Sequence, residues 1–274
     1  MQDLTPLRVM CEYNMDIKKV KKNINATIIG RELLFYNSVG STNELLFKEA
    51  EQGLEEGAVL IADTQTGGRG RLGRSWYSPP GANLYLSLLL RPDVSPQNSA
   101  VFTFIASLAL VKTLEQLKID PTIKWPNDIL INNKKAAGVL TEMKSENSIL
   151  DFIIIGIGLN INLSKDSINN NLPDIADTVT SLSIEKGRKL DREKTAQILI
   201  NWLDEYYMKF KFEGINSIVA EWSIRWGRLN EKVSIKIDNK TVSGIARKVD
   251  NYGFLYIEDS EGKLQKIIAG DIQG

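Results

Sequence analysis

Histidine is absent from this 274-residue chain. Without imidazole there is no Ser-His triad, no His-ligated metal and no imidazole acid-base catalysis, so any chemistry must rest on lysine, arginine, carboxylates and a diffusible metal. A single cysteine, Cys11, excludes an internal disulfide framework and fits a reducing compartment. Net charge is missing as well: 34 basic residues balance 34 acidic ones. No field therefore favours duplex DNA or a membrane surface as the main partner. The longest apolar run, from Ala100 to Val111, is too short to span a bilayer. The first residues lack the apolar stretch of a signal peptide, which predicts a cytoplasmic protein. What remains, 43% apolar and 25% charged, is ordinary for a soluble globular chain of about two domains by length.

Against this background one stretch stands out. Gly67-Gly-Arg-Gly-Arg-Leu-Gly-Arg-Ser-Trp76 sits between two strand-like runs, Ala58 to Ala62 and Asn83 to Leu90. Glycines let a backbone wrap closely round a ligand, and guanidinium groups suit anionic oxygens. The combination predicts a mobile loop that closes over a negatively charged group. The alternative is a solvated Arg-Gly tract that binds RNA without specificity.

Ahead of it, residues 1–29 show no strong periodicity, and Lys18, Lys19, Lys21 and Lys22 read as a solvated helix face or an arm. This length cannot hold a winged helix-turn-helix, so no DNA-binding domain is expected. Leu33 to Tyr36 reads as a strand. A helix then runs from Ser41 to Gly53, with Ser41 and Glu44 spaced as a capping box. Ser41-Thr42-Asn43 is either plain capping or a helix N-terminus whose N–H groups face a ligand.

Beyond the arginine loop, Ser99 to Leu117 is apolar on most faces and predicts a buried helix. In Lys124-Trp-Pro-Asn-Asp128, Pro126 interrupts any central ladder, and Asn127-Asp128 either shape a bend or face a ligand. Asn132-Asn133 has turn character, so the flanking runs form a hairpin with Lys135, solvated or functional, at its mouth. Ile149 to Ile161 is a near-continuous apolar strand whose Gly156 and Gly158 permit close approach. Gly156-Ile-Gly158 is no dinucleotide fingerprint, because a third glycine is missing and residues 164–177 read as polar loop. Asp191 is placed to cap a long amphipathic helix reaching Phe212, and a shorter helix covers Asn216 to Ile224. From there the texture turns to short alternating runs with Asp-Asn and Gly turns, which predicts a small β-barrel with the boundary near Trp226.

Four of these motifs together, Gly68 to Trp76, Lys124 to Asp128, Lys135 to Glu142 and Gly156 to Asn160, resemble the signature set of the biotin protein ligases in order and spacing. The resemblance covers about residue 30 to the end. It implies an α+β fold: residues 30–225 as a catalytic mixed sheet backed by helices, like the lipoate ligases and class II synthetases, then an SH3-like barrel over residues 226–274. It also implies two steps. Biotin and ATP, with Mg²⁺, give biotinyl-5'-adenylate and pyrophosphate; a lysine of a biotin carboxyl carrier protein or carboxylase carrier domain then takes the biotinyl group. Both a monomer and a homodimer are compatible with the sequence, which indicates neither protein ligands for Mg²⁺, no specific DNA target nor any membrane partner.

Carried over residue by residue, the resemblance puts Ser41, Thr42, Asn43 and Gln65 around the biotin ureido ring. It puts Gly70, Arg71 and Gly138 around the ring and valeryl chain, with Arg69 and Lys135 also counted as biotin-binding. Arg69, Arg71, Trp76, Lys124, Asn127 and Asn160 fall on the ATP side. Lys135 and Arg69 face the carboxylate and α-phosphate, with Lys135 the chief catalytic residue. Asp128 is the candidate for helping the acceptor amine lose its proton, since a lysine of pKa about 10.4 is a poor nucleophile at neutral pH. The loop is expected to be disordered until biotin arrives and then to shield the adenylate from water. The alternative within the fold is a lipoate or octanoate ligase, whose Arg-Arg-x-Ser-Gly-Gly-Gly loop and histidine this chain lacks.

Overall fold

The computed structural model describes residues 15–237 and 240–273; Cys11 lies outside them. Seven strands make the main sheet: β1 (Leu33–Val39), β2 (Val59–Gln65), β3 (Leu84–Leu90), β4 (Thr122–Lys124), β5 (Asp128–Ile131), β6 (Lys134–Glu146) and β7 (Ile149–Leu159), in the order β1-β2-β3-β7-β6-β5-β4. Only β1 and β2 pair in parallel; every other pairing is antiparallel, so the sheet is mixed. The β5–β6 and β6–β7 hairpins turn on Asn132-Asn133 and Asn147-Ser148, all four with positive φ. Paired left-handed residues of this kind match the twist of the strands they join.

All of β3 is buried and most of β7, because helices cover both faces of the sheet and period-2 alternation sends successive side chains to opposite covers. On one face α2 (Thr42–Glu51) packs Leu46 and Ala50 against Leu60, Leu89, Phe152 and Ile154. On the other, Val59, Ile61, Leu88 and Ile155 meet the larger core, which includes α3 (Ala100–Gln116), α6 (Arg192–Glu213) and α7 (Ile215–Trp226). Helix α3 is buried nearly all round, as its sequence predicts. None of the described helices is long and apolar enough to cross a membrane.

Before the sheet, α1 (Ile17–Lys22) buries Val20 and leaves its lysines exposed, so the basic cluster is a helix face and not an arm. The chain is then tied to α6: both oxygens of Asp204 accept from the backbone N–H groups of Thr27, Ile28 and Ile29 at 2.7, 2.8 and 2.8 Å. Asp191 caps α6 by accepting from Lys194 N, as expected.

One helix falls where the sequence suggests loop. Within the polar 164–177 stretch, α4 (Lys165–Asn171) is capped by Ser164 and followed by a 3₁₀ turn, Pro173–Thr178. Only Ile168 in α4 is buried, so the helix has almost no apolar stripe and periodicity is silent there. A short α5 (Leu182–Lys186), capped by Ser181, ends on left-handed Gly187. The C-terminal strands β8 (Lys232–Ile237), β9 (Lys240–Val249), β10 (Leu255–Glu258), β11 (Leu264–Ile267) and β12 (Asp271–Gln273) form the SH3-like antiparallel sheet in the order β11-β10-β9-β8-β12. Its last strand, three residues long, escapes the sequence reading. This sheet docks on the body through the turn at Gly253, whose carbonyl accepts from buried Trp125 Nε1 at 3.1 Å.

Three core phenols give an alkaline limit to stability. Burial, the largest cause in each case, raises the pKa of Tyr85, Tyr206 and Tyr207; hydrogen bonds to Glu221 and Glu56 add to it for the latter two. Unfolded tyrosine ionises at about 10, below the folded values. The stability these groups confer is therefore complete below about pH 10 and is lost as pH rises further. Alkaline titration followed by phenolate absorbance is expected to show these three ionising together with loss of circular dichroism. Ionisation well before unfolding would refute this linkage.

Candidate active site

Along the sheet, β6 and β7 pair so that Gly138 lies opposite Gly158, with Leu140 opposite Gly156. The missing side chains leave a furrow, and the arginine loop and the first turn of α2 stand on its two sides. Together they enclose a cavity of about 620 Å³. Every site residue expected from the sequence, from Ser41 to Asn160, lines this one cavity. A more open depression of about 850 Å³ beside Gly53 and Arg91 contains none of them. There the Arg91 guanidinium is engaged by Asp151 and by the Ala50 and Leu54 carbonyls.

At the α2 end the expected capping box does not form. The Ser41 hydroxyl makes no capping bond and Glu44 pairs with Lys48. Gln65, from the end of β2, takes the task instead: its Oε1 accepts from both Thr42 N and Thr42 Oγ1, at 2.9 and 3.0 Å. Gln65 Nε2 then donates to Ser78 Oγ at 3.0 Å. Because the cap comes from another strand, the Ser41 hydroxyl stays available at the cavity wall. Asn43 is buried and strongly held. Its Nδ2 donates to Glu142 Oε2 at 2.8 Å and Leu140 O at 3.2 Å, while Oδ1 accepts from Ser87 Oγ at 2.6 Å. An added Cβ at Gly156 would stand 2.2 Å from that Oδ1, so only glycine fits beneath this amide.

The indole of Trp76 lies in the furrow: a Cβ on Gly158 would come within 2.3 Å of its ring, and one on Gly138 within 3.1 Å. Its Nε1 is buried without a partner, so the ring contributes an aromatic face and an unspent donor. Lys135 Nζ stands 5.3 Å from the ring centroid and 2.7 Å from Asp128 Oδ1. That oxygen is buried and the approach lies off the hydrogen-bond axis, so the contact is an ion pair whose lone pairs are poorly used. The side chains of Lys135 and Asp128 remain 32% and 20% exposed, enough to admit a reacting group. This places a cation, a carboxylate and an aromatic ring around one point.

On the outer side, Lys124 and Asp128 are register partners across the β4–β5 hairpin, with Asn127 in its turn. Asn127 Nδ2 donates to Val139 O at 2.6 Å and its Oδ1 accepts from Arg71 Nη1 at 2.9 Å. Asn160 is buried, its Nδ2 donating to Thr180 O at 3.0 Å and its Oδ1 accepting from Asn83 Nδ2 at 3.4 Å. The arginine loop, where disorder is expected, is a folded ribbon in the structure. Gly70 N donates to Arg74 O, Trp76 N to Gly68 O, and a 3₁₀ turn at Arg71–Gly73 closes its tip. Arg69 reaches Glu142 Oε2 at 2.9 Å. Glu142, Ser87, Ser78 and Asn83 join this constellation beyond the residues expected from the sequence. Glu142 closes the Lys135 to Glu142 motif, and that was the one available signal.

Residues 35–160 match the family model described as the Biotin/lipoate A/B protein ligase family, and residues 229–273 that of the Biotin protein ligase C terminal domain. The chain is 35% identical over 256 residues to the bifunctional ligase/repressor BirA of Bacillus spizizenii, covering 93% of this chain and 78% of that protein. It is 30% identical over 249 residues to the biotin--[acetyl-CoA-carboxylase] ligase of Mycobacterium tuberculosis, covering 88% of each. Among solved structures it resembles the Aquifex aeolicus biotin protein ligase in complex with biotin and ATP. There the TM-score is 0.71 at 28% identity, covering 89% of this chain and 98% of that one.

Proposed function

The chain belongs to the biotin protein ligase family, and from that premise we propose that it activates biotin with ATP as biotinyl-5'-adenylate and transfers the biotinyl group to a lysine of a carboxylase carrier domain in the cytoplasm. The observation that carries this reading is the convergence of four distant motifs on one cavity, with Lys135 set between Asp128 and the Trp76 ring. Residues 30–225 act as the catalytic domain and 226–274 as its C-terminal companion.

In the first half-reaction a biotin carboxylate oxygen attacks the α-phosphorus and pyrophosphate leaves. Negative charge accumulates on the phosphoryl oxygens, so the task is positioning and neutralisation. Lys135 supplies a cation at the reacting carboxylate and phosphate, and Asp128 holds its ammonium in place. Arg69 and Arg71 bring guanidinium groups from the loop, Arg71 being set by Asn127. Gly138, with Arg71, walls the ring and valeryl chain beside the Trp76 indole. Ser41, Thr42, Asn43 and Gln65 surround the ureido group, and Gly70 closes the wall. Trp76, Lys124 and Asn160 serve the nucleotide.

In the second half-reaction the acceptor lysine Nζ attacks the acyl carbon and AMP leaves. Asp128, whose Oδ1 has no aligned hydrogen bond, takes the proton from that amine. Among the described residues no group of three or more His, Cys, Asp or Glu side chains is placed to hold a metal. Mg²⁺ would come with ATP and would supply charge neutralisation at the phosphates.

A lipoate or octanoate ligase of the same fold is the second reading. The polar end of the cavity, with its chain of Thr42, Gln65 and Ser78 hydrogen bonds and the Asn43 amide, argues for biotin. An alkyl chain could use none of these donors and acceptors, and a site built to hydrogen-bond a polar head rejects an analogue lacking it by up to about 10⁴-fold. The test is exchange of labelled pyrophosphate into ATP with biotin, lipoate and octanoate in parallel. Exchange with biotin alone is expected. Exchange with lipoate or octanoate in its place would reassign the cavity, and none with any acid, on folded protein, would remove the ligase reading.

A further inference from the structure

The roles above leave one carboxylate beside the cavity without a task. Glu142, on β6, directs a single oxygen, Oε2, at two donors from opposite walls: Asn43 Nδ2 at 2.8 Å in the first turn of α2, and Arg69 Nη2 at 2.9 Å in the arginine loop. Its side chain is 28% exposed and that of Arg69 45%, so the pair is reachable from solvent and weak enough to exchange partners.

A carboxylate can only accept, so the amide of Asn43 must turn its NH₂ toward Glu142. The second N–H goes to Leu140 O, and Oδ1 is left facing Ser87 and the space above Gly156. Flipping the amide would set two acceptors oxygen to oxygen, both at Glu142 and at Leu140. Glu142 therefore fixes the polarity of Asn43: its acceptor, with one lone pair beyond the Ser87 bond, is held over Gly156 in the cavity lining, where it suits a ligand N–H. The same oxygen anchors Arg69 at the foot of the ribbon, next to its Arg69–Ser75 bridge. The loop thus rests on the group that sets the ligand seat.

We propose that Glu142 is a positioning residue that couples closure of the arginine loop to the setting of Asn43, and so to recognition of the ureido N–H. The ureido clause rests on the biotin reading; the latch does not. In ligand-free protein, Glu142→Gln and Arg69→Gln are each expected to speed amide hydrogen exchange over residues 67–76 about fivefold. Exchange in α3 should stay unchanged, and the double variant should be no faster than either single, since each change dissolves the same contact. Calorimetric biotin affinity of Glu142→Gln is expected to fall about tenfold. Unaltered loop exchange, an additive double variant, or biotin affinity equal to wild type would each overturn the proposal. If wild-type protein bound no biotin, the proposed function would fail, and the exchange cycle, run without ligand, would still decide the latch.

Discussion

Alanine at position 135 is expected to lower biotin-dependent pyrophosphate exchange by about 10³-fold without unfolding the protein. The side chain projects from β6 into the cavity and is 32% exposed, so truncation leaves no void in the core. What disappears is the cation placed 2.7 Å from Asp128 and 5.3 Å from the Trp76 ring. Loss of one preorganised donor to a developing oxyanion costs about 10² to 10³ in rate, and a charged donor stands at the upper end of that range. Removing Lys135 also leaves Asp128 as an unpaired anion beside the incoming carboxylate and phosphates, which adds repulsion to the lost attraction. Arginine is a poor substitute because its planar fork cannot replace a compact ammonium at this spacing. The effect should fall on kcat more than on KM. A variant that exchanged pyrophosphate at the wild-type rate once saturated would show that Lys135 only binds substrate.

That Lys135 and its neighbours share one cavity was expected from the resemblance of four motifs taken together, since Lys135 alone reads as solvated or functional. Arginines alternating with glycines, or an acid beside an amide after a proline, are informative before any fold is known. Contacts made across distance leave no local signal. Ser41 and Glu44 are spaced as a cap, yet Gln65 caps the helix from 23 residues away. Glu142 meets Arg69 across 73 residues, and nothing local to either announces the pairing. For the fold, the buried strands and α3 were visible through their apolar runs, and α6 through Asp191. Helix α4 was not, because a surface helix burying only Ile168 has no stripe to read, and its serine and asparagine content favours turns as strongly as caps.

A second large effect is expected far from any reacting atom. Arg192→Leu should destabilise the protein by about 3 to 5 kcal/mol, the usual cost of removing one partner from a buried ion pair. Arg192 and Asp63 are both buried, 2.8 Å apart. Arg192 Nε also donates to Asn83 O at 2.9 Å, while Asp63 Oδ2 accepts from Gly81 N at 3.1 Å. Leucine would fill much of the volume but leave Asp63 charged, buried and without its cation. Helix capping does not account for this arginine, since a cation in the first turn of α6 opposes the helix dipole. Its partners explain it better. Asp63 and Asn83 fix the segment by which the arginine loop returns to β3, and the Asn83 side chain in turn accepts from Ile161 N and donates to Asn160 on the nucleotide side. The pair thus holds the loop exit and the Asn160 amide in one frame. Urea unfolding should show a lower midpoint at unchanged slope. Replacing both charges, as Asp63→Leu with Arg192→Leu, should cost less than the sum of the single changes because no lone charge is left buried. A single variant as stable as wild type would mean that water or a rearranged neighbour neutralises Asp63, and that the frame under Asn160 does not depend on this pair.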